Sequence, residues 1–147
     1  MTNLKEALFQ QCVAHVNTRL QTIISSHQKA LSSETKSSAG DKHETGRAML
    51  QLEMEKAGQQ LASVQQMQQT LARVAITKSS TSVRLGTIIE TSSIHYFLSV
   101  SAGKLTINEI TYFAISASSP IGQLLVGKQA GDTFHWNGKE LKINNVI

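Results

Sequence analysis

A single cysteine, Cys12, and a single proline, Pro120, stand in the whole 147-residue chain. One thiol cannot form an intramolecular disulfide, so a reducing compartment is the expected home. With no proline ahead of Pro120, nothing of that kind breaks a helix in the long N-terminal part. Aromatic residues make up only 5% of the chain, which suits a molecule that spends half its length on helices burying one stripe each. No block of like charge marks a nucleic-acid-binding arm. The formal net charge is +4, and the basic excess is spread evenly over the two halves. A mildly basic surface of this kind suits an acidic partner surface. The start, Met1-Thr2-Asn3-Leu4-Lys5-Glu6, lacks the charged segment and apolar run of a signal peptide. No stretch approaches the length of a membrane span. The expectation is a soluble cytoplasmic protein without a membrane partner.

What is present falls into two parts. In residues 1–77, Phe9, Val16, Ile23 and Ala30 recur every seven positions, with Val13, Leu20 and His27 as a second column. Leu50, Ala57, Val64 and Leu71 repeat the pattern, with Met54, Leu61, Gln68 and Ala75 beside them. Alternating steps of four and three are the a/d seam of a coiled coil. The spacing therefore predicts two long helices folded back on each other as an antiparallel hairpin. Ser32–Ser38 loses both pattern and helix propensity, so the first helix is expected to fray there. His15 and His27 lie on or beside the seam, without a second set of ligands at metal spacing. They read as register devices or tolerated polar core residues. Cys12 reads as a small apolar filler near the hairpin base.

The two helical patterns leave Ser38-Ala39-Gly40-Asp41-Lys42-His43-Glu44-Thr45 at the tip, with the acidic pair near 40–45. Asp41 and Glu44 admit two readings. As Asp-x-x-Glu ahead of a helix they form a capping box, and both carboxylates favour the positive end of the helix dipole. As two exposed carboxylates on a long arm they are suited to share a divalent cation with a partner's ligands, since magnesium takes oxygen ligands and keeps water positions open. They would then complete a two-metal site on another protein. Capping and catalysis are not exclusive.

Residues 78–147 read as a compact antiparallel sheet with one short helix, set off by the polar break Thr77–Ser82. Val83–Glu90, Ile94–Val100, Ile110–Ser116, Thr133–Trp136 and Leu141–Ile147 are the expected strands, with Gly103 breaking a connection between two of them. Ser119-Pro120 opens the helix as N-cap and N1, and Gly127 closes it. Asn137-Gly138 is a two-residue hairpin signal. Phe134 and Trp136 are expected in the core. No nucleophile with a base and an orienting group is found in this half. The Gly122–Lys128 match to a phosphate loop follows no strand and lies in the helix.

Val83-Arg84-Leu85-Gly86, Ile115-Ser116, Ser119-Pro120-Ile121-Gly122, Leu124-Leu125-Val126-Gly127-Lys128 and Gly131-Asp132 resemble the C-terminal domain of the Gre-type bacterial transcript cleavage factors. The resemblance covers nearly the whole chain, because an N-terminal coiled-coil hairpin precedes that domain in the family. It implies an α+β protein with an FKBP-like C-terminal domain. It also implies a transcription elongation factor whose hairpin enters the secondary channel of RNA polymerase, near the 3′ end of the nascent RNA. Gly40-Asp41-Lys42-His43-Glu44 matches the first part of the family's tip pattern, so the family's metal-assisting roles carry over to Asp41 and Glu44. There they would help hold the polymerase's second magnesium, with no cofactor of their own, while backtracked RNA is hydrolysed by the polymerase. The protein would be no enzyme by itself and a monomer. From Thr45 the sequence departs: Thr45, Gly46, Arg47 and Ala48 stand where the family carries Asn-Ala-Glu-Tyr. That departure favours the alternative of a channel-binding regulator that does not cleave. A peptidyl-prolyl isomerase, suggested by the fold alone, and a coiled-coil adaptor are the remaining readings.

Overall fold

The computed structural model describes residues 2–37 and 43–147, with side chains described over 4–32 and 46–147. The protein is α+β, with two N-terminal helices followed by a six-stranded mixed sheet. Helix α1 spans Thr2–Ser37 and helix α2 spans His43–Ala72. Strands β1 (Ile88–Thr91), β2 (His95–Ser99), β3 (Gly103–Ile107) and β4 (Ile110–Ser116) come next. The short helix α3 (Pro120–Leu125) then precedes β5 (Thr133–Trp136) and β6 (Lys139–Val146). Helix α1 does not fray at Ser32 but continues through Ser37. Each Ser or Thr costs a fraction of a kcal/mol against alanine, and extending an existing helix is far easier than nucleating one.

The chain divides into two compact units. One consists of Val16–Gln68, the greater part of both helices. Here Val16, Ile23, Ala57 and Val64 are buried, all members of the expected seven-residue columns. The second column of α2 is displaced. Met54 and Gln68 are exposed, Leu61 is half-buried, and Gln60 and Met67 are half-buried in addition. A straight helix drifts by about 20° per heptad against a strict seven-residue repeat, so the column flanking a fixed seam slides to the neighbouring position.

The other unit joins the first turns of α1, as far as His15, to Gln69–Ile147. On this stretch of α1 the buried side chains are Lys5, Leu8 and Cys12, while Phe9 and Val13 are only half-buried. Three side-chain contacts fasten it. Lys5 Nζ donates to the carbonyl of Lys78 at 2.9 Å, Gln11 Nε2 donates to the carbonyl of Thr106 at 3.1 Å, and Cys12 Sγ lies 3.4 Å from Ser99 Oγ. Burial pushes the Cys12 thiol up, against a smaller opposing effect of Ser99. Its place is that of the expected small filler.

The sheet runs in the order β3-β4-β2-β1-β6-β5. It is not wholly antiparallel, because β2 and β4 pair parallel, His95 opposite Tyr112 through Ser99 opposite Ser116. The cause is β3, which the sequence reading takes for a connection. Gly103–Ile107 forms the edge strand, and β4 returns between it and β2. Its turn is Asn108-Glu109, with φ of 51° and 69°. Positive φ at both central residues is the type I′ requirement that glycine usually meets. A non-glycine residue there is strained by about 1–2 kcal/mol. Glu109→Gly is therefore expected to stabilise the protein by about 0.5–1 kcal/mol after the entropy of the unfolded glycine is charged against it, read as a higher midpoint in urea unfolding.

Strand β1 begins at Ile88 rather than Val83. Gly86, at φ +92°, breaks the extension, and Thr87 Oγ1 donates to the carbonyl of Arg84 at 2.7 Å to close a turn. Val83 pairs instead with the chain leaving α3, through bonds to Gly127 and Lys128. Asn137-Gly138 forms the expected hairpin turn between β5 and β6, with φ of 54° and 76°. Ile89, Tyr96, Leu98, Ile115, Ile121, Leu125, Phe134 and Ile143 fill the core, with Trp136 packed against it. Ser119 caps α3 as expected, its Oγ accepting from the Gly122 amide at 3.1 Å and donating to the Ser116 carbonyl at 2.6 Å. Ser119→Ala is expected to cost about 1 kcal/mol by loss of the cap, measured by thermal unfolding.

Candidate functional site

The Asp41 carboxylate lies outside the described residues. Glu44 falls in the first turn of α2, which begins at His43, and its side chain also lies outside the described part. The structure therefore places Glu44 on the backbone at the positive end of a 30-residue helix. The capping box and the pairing of the two carboxylates, both expected from the sequence, fall outside the described residues. The residues that follow are described. Gly46 is half-buried, and Arg47, Ala48 and Met49 are exposed. Arg47 stands three positions after Glu44, so both lie on the same side of the helix one turn apart. Further along the same helix Leu52, like Met49, is 64% exposed. The first turns of α2 thus offer solvent a guanidinium and two large apolar side chains.

The two seam histidines present buried ring nitrogens, His15 Nε2 and His27 Nδ1, without a hydrogen-bond partner. Among the described residues no group of three or more His, Cys, Asp or Glu side chains is placed to hold a metal ion. Along α1, Thr18, Gln21, Thr22, Ser25 and Lys29 line an open polar hollow. All come from one helix.

The sheet carries a polar row absent from the sequence reading. Asn145 on β6 lies opposite Glu90 on β1, Glu90 opposite His95 on β2, and His95 opposite Tyr112 on β4. Asn145 Nδ2 donates to Glu90 Oε1 at 3.3 Å, and the His95 and Tyr112 rings are 5.7 Å apart. Burial, and secondarily the Glu90 charge, push the Tyr112 hydroxyl up. Each residue is unremarkable on its own strand. Only the register aligns them, and the parallel step between β2 and β4 has no local signature.

Lys5 is the other residue the periodicity missed, since it sits outside both seam columns. It is 3% exposed, and burial holds its ammonium below the usual lysine range. The folded state thus binds this proton less tightly than the unfolded state. Stability from this group is lowest below the depressed folded pKa and rises as pH climbs through it towards the ordinary value. In urea unfolding from neutral into alkaline pH, the wild type is expected to gain stability relative to Lys5→Met. Parallel profiles would show that the ammonium reaches water.

Comparison of the chain with protein-family models and with curated proteins finds no match. No helix among the described residues is long and apolar enough to cross a membrane.

Proposed function

We propose that this protein is a cytoplasmic transcription elongation factor of the Gre type, acting on RNA polymerase as a monomer. In this reading α1 and α2 form an antiparallel coiled coil that enters the secondary channel, and the β-rich unit, read as FKBP-like, docks on the polymerase rim. The observation that carries the proposal is the order of parts. Two helices of 36 and 30 residues flank, in sequence, the stretch that holds Gly40-Asp41-Lys42, and a sheet with a Ser119-Pro120-capped helix follows. At 1.5 Å per residue such helices are about 45–54 Å long, long enough to carry a tip into a deep channel. Asp41 and Glu44 would supply oxygen ligands to a magnesium ion held mainly by the polymerase, lowering the pKa of its water for attack on backtracked RNA. Two carboxylates on a tip cannot fix a complete metal site, so the hydrolysis belongs to the polymerase.

The exposed Arg47 favours a second reading. A cation one turn from Glu44, where the family carries an acid, weakens the field that would hold a divalent ion. The protein would then occupy the channel and modulate initiation or pausing without cleavage. One assay separates the two. The protein is added with magnesium to a stalled, backtracked polymerase complex, and binding is followed by competition with a known channel ligand. Short 3′ RNA fragments are expected. Binding without fragments would replace cleavage by modulation, and absence of binding would overturn both readings.

A further inference from the structure

We draw no further inference here: the strongest candidate, the open edge of β5 (Thr133–Trp136) at the end of the sheet, carries nothing because nothing in the structure shows what covers it.

Discussion

Gly122→Ala is expected to destabilise the β-rich unit by about 3 kcal/mol or more, at or beyond the upper end of overpacking costs in cores. A Cβ at Gly122 would lie 2.0 Å from the Ser116 carbonyl oxygen and 3.0 Å from the Ser116 carbonyl carbon and Ser119 Oγ. The nearest obstacle is backbone, and it is already engaged. The Ser116 oxygen accepts from the Ser119 amide at 3.2 Å as well as from its hydroxyl. Making room would pull that carbonyl off both donors or push α3 from the sheet, where Ile121 and Leu125 are buried in the core. Alanine's better helix propensity returns only about 1 kcal/mol. Circular dichroism during thermal unfolding is the measurement. A midpoint within a degree or two of the wild type would mean that the β4–α3 connection yields readily, and that glycine is not required for this close approach.

Under the cleavage reading proposed above, Asp41→Asn combined with Glu44→Gln is expected to lower RNA fragment release on the order of a hundredfold or more, the scale set by removing preorganised charge stabilisation from a reacting centre. Both changes keep shape and remove only charge. The loss of a helix-dipole contribution of about 0.3–1 kcal/mol is too small to unfold the arm. Competition for the polymerase channel should therefore be unchanged while cleavage disappears. Equal cleavage by variant and wild type would remove the tip carboxylates from the mechanism. Arg47→Glu supplies the converse test, since placing an acid at that position should raise fragment release if the guanidinium opposes the ion.

Much of this architecture is legible in the sequence where the signal is local. The seven-residue recurrence of Val16 and Ile23, and of Ala57, Val64 and Leu71, marks the side chains that are buried. Ser119-Pro120 and Asn137-Gly138 specify a cap and a turn by their own chemistry. What escapes is long-range. Gly103–Ile107 alternates as a strand should, but its glycine, lysine and threonine make it resemble a connection. Its turn also uses Glu109 where glycine would announce it. Missing that strand hides the parallel pairing of β2 with β4 and the polar row that depends on it. Lys5 is buried and bonds to the carbonyl of Lys78, far along the chain, so helical periodicity has no means of finding it. For the candidate site, Glu44 is placed on α2 by the caps-and-breaks pattern of the sequence, whereas the exposed Met49 and Leu52 become conspicuous only through their burial.

The fastening of α1 to the sheet has a temporal meaning as well. Lys5, Gln11 and Cys12 leave the ribosome well before their partners Lys78, Thr106 and Ser99, which follow after both long helices. The helices can begin to coil as they emerge, whereas the β-rich unit stays incomplete until β6 is released, and the first turns of α1 must wait for it. Such sequence-distant closure slows folding because loop entropy is lost before the contact forms. In pulse-labelling hydrogen exchange during refolding, the amides of α2 should be protected early and those of β1, β6 and the first turns of α1 last, so a segment made before the sheet settles only with it.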